Sequence, residues 1–330
     1  MIKLMTKIRR LISREPGAFV PEFPPSILLE PTNACNIKCR MCPIHGEGVN
    51  KSREIGFIKK DLWTGIIEEI GSWPSQVNLD IHGAGEPLLH PEFFDMLSLA
   101  KSKGNITVGF LCNATLLDQE KARAVIELGV DWICFSVDGA QKEVFEYYRR
   151  GAHLETVERN IKYLLSLRKQ GKPQIYFNMV NHDEADLALF IDTWAGLVDS
   201  LSISIKRPVR REDQERLKLL KPCPLLYQQL VIGWPGKTGL CCEDLWGDMI
   251  TGEIPAASLH DIWHDKVLRK ARRLHEEGRQ DNIDLCRTCN TIHFHQYEEK
   301  AEVRNECTTL IRRELPALNP ELAIPSSAKR

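Results

Sequence analysis

The chain has 330 residues, enough for one large domain and a smaller one. Hydrophobic residues make up 43% and charged residues 27%, an ordinary balance for a chain with a buried core. Lys plus Arg number 44 against 45 for Asp plus Glu, so no basic excess exists to hold a phosphate backbone, and nucleic acid is excluded as the main partner.

The first 25 residues form an N-terminal extension, and residues 26–208 then read as alternating strands and helices. Strand-like runs lie at Ser26–Glu30, Val77–His82, Ile106–Leu111, Trp132–Val137, Gln174–Val180 and Leu201–Ile205. Helical spacing recurs between them, as in Leu62, Ile66, Ile67 and Ile70, and again in Leu154, Val157, Ile161 and Leu164. A helix is also expected from near His90, with Pro91 in its first turn. Successive β/α units imply parallel strands, and the expected fold class is α/β, a partial (β/α)6 TIM-like barrel with a small C-terminal domain. Residues 209–222 read as a charged linker or helix, 223–300 as a second, cysteine-bearing domain with a helix over Leu259–Glu277, and 301–330 as an irregular tail. Runs such as Val130 to Val137 are too short to span a bilayer, and the basic stretch Met1–Arg14 lacks the features of a secretory signal. No membrane partner and a cytoplasmic location are therefore expected.

In such folds the site lies at the C-terminal ends of the strands. Polar and reactive residues collect there. The first run leads into Cys35, Cys39 and Cys42; the second into Gly83, Ala84, Gly85 and Glu86; the third into Cys112 and Asn113. Ser136 and Asp138 close the fourth run, Asn178 and Asn181 lie near the end of the fifth, and Lys206 and Arg207 follow the sixth.

Eleven cysteines, clustered and odd in number, argue for metal or redox chemistry rather than a disulfide framework. The spacing Cys35-x3-Cys39-x2-Cys42 suits three thiolates on a [4Fe–4S] cluster with one iron left open. It equally suits zinc with His45 as fourth ligand. In the second domain Cys223, Cys241 or Cys242, Cys286 and Cys289 make a set of four, with His293 and His295 close by as zinc-type ligands.

The run Glu30-Pro-Thr-Asn-Ala-Cys35-Asn36, the three thiols, Gly83-Ala-Gly-Glu-Pro-Leu-Leu89, Asn113 and Ser136-Val-Asp-Gly139 together resemble the radical SAM superfamily. The resemblance implies that Cys35, Cys39 and Cys42 hold a [4Fe–4S] cluster whose open iron chelates S-adenosylmethionine. Electron transfer from it then cleaves the sulfonium C–S bond, and the 5′-deoxyadenosyl radical abstracts a hydrogen atom from the substrate. On the same basis the Gly83–Glu86 loop contacts the methionyl amino group, and Ser136 the methionyl carboxylate or ribose. Asn113, Asp138, Arg149 and Asn178 are further cofactor-binding candidates. Ala84 and Ala114 stand where the family often has glycine, which matters only if either position needs a positive φ.

Cys223-Pro224, the Gly236–Asp244 run, Ser258–Trp263 and Cys286-x2-Cys289 resemble the twitch or SPASM-type auxiliary extension. That implies an auxiliary [4Fe–4S] cluster on Cys223, Cys241, Cys286 and Cys289, with Cys242 spare. A cluster closed by four thiolates suits an electron acceptor, and hence oxidation. The expected reaction is dehydrogenation of a secondary alcohol on a small polar substrate, a sugar or aminocyclitol, with an external donor such as flavodoxin or ferredoxin. The 25 residues before the first strand are too few for a leader-peptide-binding domain, which weighs against peptide substrates. Three rivals stand beside this reading: an epimerase using Cys112 as a thiol hydrogen donor, a peptide maturase, and a zinc-binding interaction protein.

Overall fold

The computed structural model describes residues 19–50, 52–181, 184–205, 222–287, 289, 296–304 and 307–315. Strands β1 (Ser26–Leu29), β2 (Val77–Ile81), β3 (Ile106–Cys112), β4 (Trp132–Ser136), β5 (Gln174–Asn181) and β6 (Ser200–Ile205) fall on the six expected runs. They pair in parallel and in chain order. Helices α1 (Lys60–Gly71), α2 (Phe93–Ser102), α3 (Gln119–Glu127), α4 (Lys142–Tyr148), α5 (Leu154–Leu167) and α6 (Glu184–Trp194) lie between them.

Local chemistry sets the bounds. Helix α5 buries Leu154, Val157, Ile161 and Leu164 along one stripe. Helix α3 starts where the Asp118 carboxylate accepts the Lys121 N–H and ends at Gly129, whose φ of 65° suits glycine. The helix expected from His90 begins later, at Phe93, because Pro87–Leu89 first makes a short 3-10 turn.

Strands β2, β5 and β6 alternate in burial, unlike those of a sheet covered on both faces. Val108 and Phe110, Ile133 and Phe135, Ile175 and Phe177, and Leu201 and Ile203 are all at most 1% exposed. These side chains meet the helices: Phe110 packs edge-on against Phe93 of α2, and Phe177 packs against Phe190 and Trp194 of α6. Each large side chain removed from water contributes about 1.5–3 kcal/mol. The opposite face carries Asp80, Trp132, Ser136, Asn178, Ser200 and Ser202, and is the concave side on which a site is built.

After the charged segment, most of which lies outside the described residues, α7 (Leu225–Gln228) leads into β7 (Gln229–Ile232), parallel to β1. Strands β8 (Lys237–Gly239) and β9 (Ile250–Glu253) add on antiparallel. The single helix expected over 259–277 is instead two, α8 (Leu259–Trp263) and α9 (Lys266–Glu276). Asp265 breaks the run, its carboxylate accepting the Val267 N–H to start α9 afresh. A short helix α10 (Asp284–Arg287) carries Cys286.

The chain after residue 300 differs from the irregular tail expected of it. Strands β10 (Gln296–Arg304) and β11 (Cys307–Leu315) form an antiparallel hairpin, and β11 joins the sheet parallel to β6. Charged residues on this edge hairpin mask its alternation. The rest of the expected tail, residues 316–330, lies outside the described residues. The 11-stranded sheet runs β10-β11-β6-β5-β4-β3-β2-β1-β7-β8-β9, with its parallel strands central and a hairpin at each edge.

Candidate active site

The loop after β1 is held by backbone hydrogen bonds. Lys38 N donates to Arg150 O at 2.9 Å and Arg40 N to Tyr148 O at 2.8 Å, seating Cys35–Cys42 on the end of α4. Cys42 N donates to Cys39 O, and Gly46 N to Cys42 O, each at 3.0 Å. The loop after β2 lies directly against it, with Glu86 N donating to Ala34 O at 2.8 Å. Approach is so close that a Cβ on Gly85 would stand 2.3 Å from Ala34 O and 2.6 Å from Thr32 O. A glycine here is therefore a steric requirement of the two loops meeting.

Two buried ion pairs brace this junction. The Glu30 carboxylate accepts from both terminal nitrogens of Arg53, at 3.1 and 2.7 Å, from Ala84 N at 3.0 Å and from Trp234 N at 3.2 Å. Asp138 meets Arg149 at 2.7 Å and accepts the Val180 N–H at 2.8 Å. Arg149 also points Nη1 at Cys39 Sγ, 4.0 Å away, while its buried Nε has no hydrogen-bond partner among the described residues. Burial lifts the Cys35 thiol to about 11 and raises Cys39, against which Arg149 pulls down.

Several sequence-predicted residues serve the scaffold. The Glu86 carboxylate turns inward, accepting from Asn113 N at 2.8 Å and Leu88 N at 3.2 Å, and burial raises its pKa to about 7. The Asn113 amide bridges Asn36 and Thr115, shaping the loop after β3. Ala114 adopts a φ of 60°, so this departure does sit where glycine fits best, whereas Ala84 is absent from the described positive-φ residues. Ser136 and Asn178 are paired in register on the concave face, and Ser202 follows beside Asn178.

Cys112, the thiol of the epimerase alternative, lies on the helix side of the sheet. It pairs with Phe135, whose ring packs on the helix side, and is 1% exposed, so it belongs to the core rather than the concave face. Cys134 pairs with Leu111 and Tyr176 and sits on the concave side, though only 7% exposed. Lys206, Arg207 and Arg210 lie outside the described residues.

The second thiol set is drawn from the chain before α7, the turn after β8, and α10 with the residues after it. Charges at Cys223 and Cys286 act on Cys241, and those at Cys223 and Cys289 act on Cys242, so all five thiols share one environment. Burial pushes Cys223 to about 11 and Cys242 to about 12. His275 of α9 lies among them: its Nδ1 accepts from Cys223 N at 3.3 Å, and its Nε2 is 3.4 Å from Cys286 Sγ.

Neither thiol set has the spacing of a single metal ion. Around one zinc, with Zn–S of about 2.3 Å, the sulfurs lie about 3.8 Å apart. Among the described residues the one group of three such ligand atoms within 4.8 Å of one another is Glu22, His260 and His264, where both rings already hydrogen-bond Glu22. His45, the fourth ligand of the zinc alternative, has its Nε2 2.9 Å from Asn33 O, and a carbonyl can only accept that proton. Sulfur donors spread more widely, beside a buried guanidinium with an unspent N–H, fit a larger anionic object.

A family model described as "Radical SAM superfamily" matches residues 29–194. The chain belongs to the radical SAM superfamily. A second model, "Iron-sulfur cluster-binding domain", matches residues 223–290. Radical SAM membership brings a [4Fe–4S] cluster that binds S-adenosylmethionine, and the second match brings auxiliary iron–sulfur chemistry. The chain is 34% identical over 142 residues to the tungsten-containing aldehyde ferredoxin oxidoreductase cofactor-modifying protein of Pyrococcus furiosus, covering 42% of this chain but 38% of that one. It is 23% identical over 276 residues to the S-adenosyl-L-methionine-dependent 2-deoxy-scyllo-inosamine dehydrogenase of Niallia circulans, covering 83% of this chain and 95% of the relative. Among solved structures, BtrN in complex with AdoMet and 2-DOIA superposes with a TM-score of 0.60 at 20% identity, over 83% of this chain and 95% of that one. Streptococcus suis SuiB bound to precursor peptide SuiA gives 0.62 at 13% identity, over 82% and 70%. These likenesses show the radical SAM fold, a TIM-like α/β core with a SPASM domain. Among the described residues no helix is long and apolar enough to cross a membrane.

Residues that sequence reasoning passed over gained roles. Glu30 and Arg53 join the Gly-rich loop to the second domain, since Arg53 also donates to Leu245 O at 2.9 Å. The period-two serines 200, 202 and 204 were a visible signal of a polar strand face. His275 carried none, because a histidine near the end of an amphipathic helix reads as ordinary.

Proposed function

We propose that this radical SAM enzyme dehydrogenates a secondary alcohol of a small polar substrate, a sugar or aminocyclitol. The observations that carry the reading are the gathering of Cys223, Cys241, Cys242, Cys286 and Cys289 in one environment and a sheet face that presents the hydroxyl and amide groups of Ser136, Asn178 and Ser202. The alignment with the Niallia dehydrogenase over 83% of this chain supports it, as does the burial of Cys112 away from that face.

Cys35, Cys39 and Cys42 hold the first cluster; Cys223, Cys241, Cys286 and Cys289 hold the second, with Cys242 spare. When bound, the two clusters supply one-electron chemistry, reductive cleavage of S-adenosylmethionine at the first and an electron sink at the second. The chain's own groups do the rest. Gly83, Ala84 and Gly85 present backbone to the methionyl end, where side chains are too small to intrude. Arg149, with an unspent Nε–H, offers charge to an anionic neighbour. Ser136, Asn178 and Ser202 form a row able to bond successive hydroxyls of a polyol. Electrons come from a flavodoxin- or ferredoxin-type donor, and the protein works in the cytoplasm.

The test is iron and acid-labile sulfide per chain after anaerobic reconstitution, in the wild type and in a Cys35/Cys39/Cys42 triple alanine variant. About eight irons falling to about four support two [4Fe–4S] clusters. Aminocyclitols and sugars are then screened for release of deoxyadenosine with formation of a ketone. Four irons that vanish in the variant remove the acceptor, and with it the case for oxidation. Deoxyadenosine release with an epimer as product overturns the dehydrogenase reading.

A further inference from the structure

Helix α9 brings one buried histidine to the second thiol set. His275 is 4% exposed and sits one turn beyond Arg272, which anchors the helix by donating to Leu226 O at 2.8 Å and Trp263 O at 2.9 Å. The imidazole therefore hangs from a fixed backbone. Its two nitrogens do different work. Cys223 N–H points at Nδ1, 3.3 Å away, and an amide nitrogen can only donate. In the neutral ring Nδ1 is thus the acceptor and the proton resides on Nε2, which faces Cys286 Sγ at 3.4 Å. The sulfur is the acceptor.

From this geometry we propose that His275 is a positioning residue that sets the reduction potential of the auxiliary cluster by donating Nε2–H to the Cys286 sulfur. The proposal rests on the reading of Cys223, Cys241, Cys286 and Cys289 as the ligands of that cluster. A hydrogen bond to a ligating thiolate withdraws electron density from sulfur. Reduction adds one electron and one negative charge to the cluster, so the bond strengthens on reduction and favours the reduced state. Such bonding is one of the levers by which a protein moves cluster potentials. The direction suits an acceptor: the cluster takes an electron more readily with His275 in place.

The bond to Cys223 N gives His275 a structural duty as well, and two substitutions separate the duties. His275→Asn keeps an oxygen near the Nδ1 position, able to accept from Cys223 N, but places no donor near Cys286. His275→Gln puts an amide N–H near the Nε2 position and keeps the donor. The experiment is an anaerobic redox titration of the cluster-loaded enzyme followed by electron paramagnetic resonance, in a Cys35/Cys39/Cys42 triple alanine background so that only the auxiliary cluster contributes. At a fixed poise near the midpoint, His275→Asn is expected to lower the ratio of reduced to oxidised cluster about tenfold, a shift of about 59 mV for one electron, and His275→Gln to recover most of it. Unchanged potentials in both variants, with about four irons retained, overturn the proposal and leave the auxiliary cluster standing. So does a shift in His275→Gln without one in His275→Asn, the pattern of a purely structural role. A parent that binds no iron in this background instead removes the auxiliary-cluster reading itself.

Discussion

The buried pair Glu30–Arg53 is the sharpest place to test whether the two domains are joined as described. The Glu30 side chain is 5% exposed and Arg53 18%. Arg53→Ala removes two charge-assisted bonds to Glu30 and the bond to Leu245 O. The carboxylate keeps only the Ala84 and Trp234 amides, and it remains charged in a dry place. Breaking a buried pair from one side costs about 3–5 kcal/mol, and the two remaining amides hold the figure near the lower end, about 3 kcal/mol. Adding Glu30→Gln removes the stranded charge, so the double variant recovers about 2 kcal/mol. The readout is amide hydrogen exchange by mass spectrometry on peptides containing Ala84 and Trp234, since both amides donate to Glu30. With 1.4 kcal/mol per tenfold, Arg53→Ala speeds their exchange about a hundredfold, and the double variant brings back more than a factor of ten. Exchange within threefold of wild type in Arg53→Ala, or a double variant faster than the single one, refutes the buried pair.

Gly85→Ala forces a methyl to within 2.3 Å of Ala34 O, so the two loops must part; S-adenosylmethionine affinity measured by equilibrium dialysis is expected to fall at least tenfold with auxiliary iron retained. Ala114→Gly relieves a left-handed residue and is expected to stabilise the barrel by about 1 kcal/mol, read as a higher urea midpoint. Asp80 is half-buried with Ser26 as its hydroxyl donor, and desolvation raises its pKa from 3.8 to about 6. A carboxyl held above its unfolded pKa stabilises below about pH 4, and that stability is lost as pH rises to about 6. Asp80→Asn is therefore expected to gain up to about 3 kcal/mol at pH 7 and nothing at pH 4, and an equal gain at both refutes the burial argument.

What the sequence made legible was whatever repeats or clusters. The six strands alternate or run apolar over several residues, and the thiols stand at ligand spacing, so both survive without three-dimensional context. Side chains that fix boundaries, as Asp118 and Gly129 do at the ends of α3, are visible in the sequence only once the helix between them is known. The break between α8 and α9 was hidden because Asp265 sits in a run whose apolar spacing continues across it. The hairpin β10–β11 was hidden for another reason: it lies at an edge, and its exposed positions carry Glu298 and Lys300, which read as solvated chain. The face of Cys112 was left open because sequence shows that a residue ends a strand but not which face it takes. A one-residue shift in register exchanges the faces, and only pairing with Phe135 decides it.

The two buried ion pairs, remote in sequence, act on one short loop from opposite sides. Glu30 precedes the first thiol by five residues and is tied to the second domain through Arg53, Trp234 and Leu245. Arg149 follows α4, is tied to the fourth and fifth strands through Asp138, and reaches Cys39. Between them the backbone of the loop is bonded to Tyr148, Arg150 and Glu86. The thiols are thus carried on chain whose hydrogen bonds are met by protein, unlike small metal modules in which ligand binding and folding are one event. The arrangement also gives the domains a shared dependence. Trp234 N and Ala84 N bond the same carboxylate, so a shift of the second domain moves the carboxylate that braces the Gly-rich loop. The carboxylate of Glu30, rather than any thiol, is where the cofactor loop and the auxiliary domain meet.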